Sequence, residues 1–450
     1  MTPSTRSPVK PVADVPEHRL GLAQGTALFV GSVLGPGVLA LPQLAAAAAG
    51  PASILAWAAL LALSAPVALT FAALGARFPD GGGVASFTAR AFGPRTAAVV
   101  GWWFYGIVPV GTLAGALIGG DYVVEAVGLD RSWAVVVAIV LLAAAFVTNH
   151  GGLRMSGRVQ LVLVCGLAAL LATAIVAAGP RSSWGNFTPF APHGGLGVVH
   201  AAGVLFFAFA GWEAASHLSG EFAEPRRSMP RATALTLLIV GVLYMGLVVT
   251  VIGVLGGRAA TSPVPLALLL QEGLGSGARV ATGVVAVILS FIAINTYVAG
   301  GARLGAALAR DGALPAPLAR GSVAGQVPHR SLGLLAALTA LVTAVAVPYG
   351  LGLDTLMRAT AACLAAVTVV GTAAAVRLLT GRGRTVAAAA TVFTGLVLLS
   401  CTVYLVVPTA LAVGGALAGR RRGPSADPAT PRNASAGDVP GTVRDVRKTR

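Results

Sequence analysis

The sequence predicts an all-α polytopic membrane protein with twelve transmembrane helices, or eleven if the last two apolar runs form one span. Three observations carry this prediction. Of the 450 residues 56% are hydrophobic and 10% are charged, with a mean hydropathy of +0.84, whereas a soluble domain carries about 25% charged residues. Apolar runs recur between short polar links, most of them roughly 17 to 25 residues long, the length that crosses about 30 Å of hydrocarbon. Basic residues concentrate in alternate links, as they do in polytopic membrane proteins.

The runs fall at about 22–47, 52–76, 97–120, 133–149, 159–179, 198–221, 232–256, 280–302, 332–350, 354–376, 386–403 and 405–419. The last two are short, meet around Tyr404, and the final one contains Pro408. With the N-terminus in the cytoplasm, 26 of the 31 basic residues lie in or beside inside segments. Four lie outside (Arg131, Arg181, Arg258, Arg279), and Arg358 sits in the tenth run. The reverse orientation would put nearly all of them on the wrong face, so the net charge of +16 sets topology in a cell membrane and does not point to nucleic acid.

The first run contains an interruption. Gly31, Gly35, Pro36 and Gly37 each weaken a helix, and Pro36 also removes a backbone donor, so two half-helices joined by an unwound piece are expected. Irregular backbone at mid-membrane depth is tolerated only where it is buried in protein or lines a polar cavity. Transporters place substrate at such breaks. The second run leads into Pro79, Gly81, Gly82 and Gly83, read as a cytoplasmic turn before an interfacial helix. No strand precedes these glycines and no Gly-Lys-Ser/Thr follows, which argues against a phosphate cradle. The loop 261–276 reads as a short outer helix or an ordinary connector.

The sixth run carries Gly211-Trp212-Glu213 near its middle, with His217 one turn on and facing the same side. A carboxyl at that depth costs roughly 2.5 to 3.5 kcal/mol on insertion scales, so it should be paired, protonated or functional. Glu213 and His217 are the candidate proton-coupling groups, the alternative being hydrogen bonds that latch the span to a neighbour. A metal site from His200, Glu213 and His217 is disfavoured because His200 lies near the other end of the run. No metal or cofactor is expected. Cys165, Cys363 and Cys401 all lie in apolar runs without CxxC spacing and read as small core hydrophobes. The six histidines are scattered without a supporting nucleophile or base, which excludes a recognisable enzyme site.

Several phrases together resemble one family. Val-Gly-Ser-Val-Leu-Gly-Pro-Gly-Val-Leu-Ala-Leu-Pro (30–42), Ala-Arg-Phe-Pro-Asp-Gly-Gly-Gly-Val-Ala-Ser-Phe (76–87) and Ala-Phe-Gly-Pro (91–94) resemble the opening of an amino acid/polyamine/organocation permease. Asn-Phe-Thr-Pro-Phe-Ala-Pro (186–192), the stretch 206–231 with its Glu-x-x-x-Pro-x-x-x-x-Pro loop, and Arg-Asp-Gly-Ala-Leu-Pro (310–315) are similar to later segments of that family. The likeness covers about residues 20 to 320. Gly21 to Gly25, Ser32 to Gly37 and Val108 to Gly111 look closest to its methionine and branched-chain amino acid exporter branch.

The resemblance implies a transporter domain over 20–419; by composition the polar segment 1–19 before it reads as cytoplasmic and the basic, Pro-rich tail 420–450 after it as cytoplasmic and disordered. No cleavable signal segment is expected in 1–19. Within the domain it implies two inverted five-helix repeats, about 22–179 and 198–376, with helices one and six broken at a shared site and two extra helices over 386–419. The half-helix ends offer N–H donors to a substrate carboxylate and carbonyls to its ammonium. Ser32, Gly35, Pro36 and Gly37 are thereby placed on one side of the site and Phe209, Ala210, Gly211 and Trp212 on the other. Tyr105 and Asn295 are further candidate contacts. Pro36 departs from the family, where Ser or Thr often stands between the two glycines, so one expected donor is missing and Ser32 is the candidate replacement.

The lack of a basic residue at the membrane centre points to a neutral substrate, and the apolar lining to an aliphatic side chain such as that of methionine, leucine, isoleucine or valine. The expected activity is secondary active transport by alternating access, in the form of proton-coupled efflux. Import or exchange of cationic amino acids or polyamines stays open because Glu213 could meet a cation. A membrane sensor that does not transport also stays open. Transport direction, coupling ion and oligomeric state are not encoded in these residues.

Overall fold

The first interruption is visible as two short helices, α1 (Leu22–Val33) and α2 (Gly37–Ala49). The computed structural model describes residues 21–35, 37–78, 83–152, 157–209, 211–212, 222, 224–275, 277–321 and 326–420. Pro36, Ala210, Glu213 and His217, together with both terminal segments 1–19 and 421–450, lie outside the described residues. A 3-10 turn at Gly50–Ala52 separates α2 from α3 (Ser53–Arg77), and the Ala52 N–H at this corner donates to the Phe190 carbonyl at 2.8 Å.

Helices α4 (Gly83–Phe92), α5 (Pro94–Val127), α6 (Trp133–His150), α7 (Gly157–Ala178) and α8 (Gly194–Phe209) follow. Next come α9 (Pro225–Leu255), the single turn α10 (Arg258–Thr261), α11 (Pro265–Leu274) and α12 (Ala278–Arg310). The chain closes with α13 (His329–Ala346), α14 (Leu353–Leu378), α15 (Arg382–Ser400) and α16 (Val406–Arg420). Pro94, Pro225 and Pro265 open α5, α9 and α11, where a missing N–H costs nothing because it would have no helical partner. Pro408 is tolerated in the first turn of α16 for the same reason, so the final apolar region folds as two helices joined at 401–405.

Among the described residues, nine helical stretches are long and apolar enough to cross a membrane; one of them is the run 37–77 that α2 and α3 form together. Leu22–Val33, Gly194–Ala208 and Thr402–Leu417 are shorter apolar helices. This is the layout of a multi-pass, helical membrane protein. The helix expected beyond the second run is α4, which packs inward against α5 and α14, with Val84 and Phe87 buried. The stretch 261–276 holds a helix and not a plain connector: α11, which packs against α7 and α12.

Helix α5 runs through the centre, bordered by α6, α12 and α14, whereas α7 and α15 leave most of their apolar surface outward. Association inside a bilayer gains little from the hydrophobic effect and depends on close packing of small residues. Gly120 of α5 shows this most directly, because a Cβ there would strike the backbone carbonyl of Ala134 in α6. Several buried threonines bond within their own helices. Thr339, Thr360 and Thr372 each donate to the carbonyl four residues back, at 2.8 to 2.9 Å. Helix α16 is fastened to α5 by the Trp103 indole N–H, which donates to the Pro408 carbonyl at 2.7 Å.

Replacing Gly120 with Leu should destabilise the fold by about 1–3 kcal/mol through overpacking. The loss should appear as a lower thermal midpoint in detergent, whereas Gly395→Leu, which meets no neighbouring atom, should leave the midpoint in place.

Candidate functional site

At the first interruption the chain makes a sharp inverse γ-turn. Leu34 has φ −75° and ψ 67°, and the Gly35 N–H donates to the Val33 carbonyl at 2.9 Å. The Val38 N–H then donates to the Gly35 carbonyl at 3.2 Å as α2 begins. The Ser32 hydroxyl donates to the Phe29 carbonyl at 2.8 Å. In this closed arrangement that bond lies within its own helix.

The second interruption is marked by the end of α8 at Phe209 and the turn conformation of Gly211. Gly211 has φ +143°, a backbone conformation that L side chains rarely adopt. A Cβ on Gly211 would collide with the Ser32 carbonyl oxygen and lie 3.3 Å from the Val33 Cα. The two interruptions are therefore in backbone contact, and glycine is required there on both counts. Trp212 is 2% exposed, and its indole N–H has no partner among the described residues. Phe209 ends α8.

Ser32, Val33, Gly35, Gly37, Val38, Phe207, Ala208, Tyr244 and Tyr297 surround a cleft of about 20 Å³ at this contact. That is room for about one water molecule, so the site is closed around its own side chains. The Phe207 ring covers Gly37, where a Cβ would come within 2.8 Å of it.

One residue that the sequence reading missed ties the two breaks together. The hydroxyl of Tyr244, on α9, donates to the Val33 carbonyl at 3.0 Å and lies 3.5 Å from the Ala208 carbonyl. Its ring is fully buried and meets Trp57 edge-on at 4.9 Å. A phenol inside the apolar run 232–256 must find an acceptor, and that was the available signal. Tyr122 makes a similar bond from α5, donating to the Leu39 carbonyl of α2 at 2.9 Å.

Two candidates sit elsewhere. The Asn295 side-chain oxygen accepts from Thr148 Oγ1 at 2.8 Å and from Asn149 Nδ2 at 2.7 Å, which joins α12 to α6. Tyr297 faces the cleft, and a residue two positions away on a helix points about 200° around the axis, so Asn295 faces α6 instead. Tyr105 is buried between α5, α12 and α13, where its hydroxyl donates to the Ser331 carbonyl at 3.4 Å. Neither residue lines the cleft. Ser32, Gly35 and Gly37 do line it, and Gly211 abuts Ser32.

A family model described as amino acid permease matches residues 20–433. The chain belongs to the amino acid permease family. It is 32% identical over 357 residues to the amino acid permease YecA of Bacillus subtilis (strain 168), a match covering 79% of this chain and 84% of that protein. It is 36% identical over 293 residues to the L-methionine/branched-chain amino acid exporter YjeH of Escherichia coli (strain K12), covering 64% of this chain and 69% of that one. It is 26% identical over 351 residues to the branched-chain amino acid permease BcaP of Bacillus subtilis (strain 168), covering 72% and 74%. These relatives are permeases and transporters, not enzymes, so this permease carries a small-molecule amino acid substrate across a membrane.

Gly211→Ala should force a left-handed alanine against Ser32, at a strain cost of about 1–3 kcal/mol, and flux in proteoliposomes should fall about tenfold or more. Tyr244→Phe should cost about 1 kcal/mol of stability and slow flux. Unaltered flux in Tyr244→Phe would reduce its hydroxyl to a packing role.

Proposed function

We propose that this permease exports neutral aliphatic amino acids, among them methionine, leucine, isoleucine and valine, by proton-coupled alternating access through the joint between its two interruptions. The observation that carries the reading is the contact of Gly211 with the Ser32 carbonyl. It brings two helix breaks, far apart in sequence, to one point. Half-helix ends at such a point present N–H groups to a carboxylate and carbonyls to an ammonium. The cleft is too small for an amino acid, so substrate enters only when the two broken helices move apart.

The topology behind this reading has twelve spans, with both termini in the cytoplasm. Two inverted repeats cover about 22–179 and 198–376, and the α15–α16 pair lies outside them. Support comes from the segregation of basic residues and from the position of each break in the first helix of its half. The aliphatic preference draws on Val33, Val38, Phe207 and Ala208 around the cleft and on the printed names of the exporter YjeH and the permease BcaP. Gly35, Pro36, Gly37, Phe209, Ala210, Gly211 and Trp212 form the substrate-side backbone of the proposal. Glu213 and His217 are its proton-linked groups.

Flux of labelled leucine and methionine in proteoliposomes under an imposed pH gradient tests the reading. Wild type should show gradient-driven flux that collapses in Glu213→Gln. Flux indifferent to both would remove the proton role, and no flux across an amino acid panel would overturn the substrate assignment.

A further inference from the structure

The ends of α3, α4 and α14 gather three arginines around two phenylalanines. Arg77 is the last residue of α3, and Arg377 stands one residue before the end of α14. In the proposed topology both guanidiniums therefore sit where those helices leave the membrane on the cytoplasmic side. Arg90 lies in the last turn of α4, which packs against α14 and closes the group. Arg77 and Arg90 both stack on the Phe78 ring, 5.6 and 5.0 Å from its centroid. Arg377 stacks on Phe92, two residues beyond Arg90, at 4.5 Å, and its Nη1 donates to the Ala91 carbonyl at 3.2 Å.

Stacking holds a guanidinium by its face and leaves its five in-plane N–H donors at the rim. Arg77 and Arg377 are exposed, and neither has a carboxylate partner among the described residues. Helices α4 and α15 contain no aspartate or glutamate, and those of α5 and α14 (Asp121, Glu125 and Asp354) lie toward the opposite ends of their helices. Asp80, between α3 and α4, lies outside the described residues. Arg95 at the start of α5 and Arg382 and Arg384 in the first turn of α15 add exposed positive charge on the same side. A helix N-terminus does nothing to offset a cation, so the like charges of this corner need an anion from elsewhere.

We propose that this corner binds the phosphate of an anionic phospholipid in the cytoplasmic leaflet, held by Arg77 and Arg377 beside Arg90. The planar fork of a guanidinium matches two oxygens of a phosphate, and aromatic stacking orients the fork before the ligand arrives. The end of a spanning helix is at headgroup level, which is where a lipid phosphate lies. From Arg77 the helix α3 runs back into the membrane with Leu69 and Leu63 exposed, an apolar surface that acyl chains use and a dissolved phosphate does not. The proposal takes from the transport reading only its topology, which names the leaflet.

The test is native mass spectrometry of the purified full chain in a neutral detergent, titrated with dioleoyl phosphatidylglycerol or dioleoyl phosphatidylcholine, alongside proteoliposome flux. Wild type should prefer phosphatidylglycerol about tenfold or more. Arg77→Gln combined with Arg377→Gln should weaken that lipid about 25-fold, at about fivefold per basic residue. Arg77→Lys combined with Arg377→Lys keeps the charge and loses the fork, so it should recover only part of the loss; it also guards against a folding defect in the glutamine pair. Arg303→Gln combined with Arg320→Gln removes equal charge elsewhere on the same side and should leave binding unchanged. Excess inorganic phosphate should not displace the lipid. Equal binding of the two lipids by wild type, an equal loss in both glutamine pairs, or displacement by phosphate would overturn the lipid site and leave the transport reading standing. Absence of leucine and methionine flux with the lipid preference intact would do the reverse.

Discussion

A carbonyl freed from its helix at mid-membrane depth has no water to turn to, and the architecture around the two interruptions answers that constraint. The γ-turn at Leu34 uses one carbonyl of α1 internally. Tyr244 reaches from α9 to the Val33 carbonyl and lies beside the Ala208 carbonyl. Gly211 allows the second break to lie against the first without an intervening side chain. The surrounding helices hold these pieces in place: α2 lies along α8, and α1 along α9 and α7.

The helical layout was legible because lipid imposes length and composition on each crossing. The expected break in the first run appeared between Val33 and Gly37 because glycine and proline interrupt a helix wherever they cluster. The direction in which individual polar side chains point was less legible. Asn295 and Tyr297 lie two positions apart, yet one faces α6 and the other the cleft, and helical phase relative to a distant neighbour is set by packing that no local pattern records. Tyr105 went the same way, into the contact between α5, α12 and α13. Tyr244 was overlooked because a phenol in an apolar run looks like core until its acceptors, about 210 and 36 residues away, are known.

Two cavities of the protein differ in how their polarity is made. The cleft at the breaks owes it mainly to the main chain, whose carbonyls and N–H groups come from interrupted helices. A cavity of about 340 Å³ between α8, α14 and the turn 400–404 owes it to the Arg358 guanidinium, which is paired with Asp354 four residues earlier on α14, the favourable order on a helix. Such a pair travels with its helix as a unit, and its tie to α8 is a single bond to a backbone carbonyl.

Main-chain acceptors have a genetic consequence. No amino acid substitution at positions 33 or 208 can delete a carbonyl, so the polar character of the joint is shielded from point mutation at the breaks themselves. The hydroxyl that answers those carbonyls enjoys no such shelter, since a single base change can remove it. The robustness of the joint is therefore concentrated in Tyr244, on a helix that carries no break of its own.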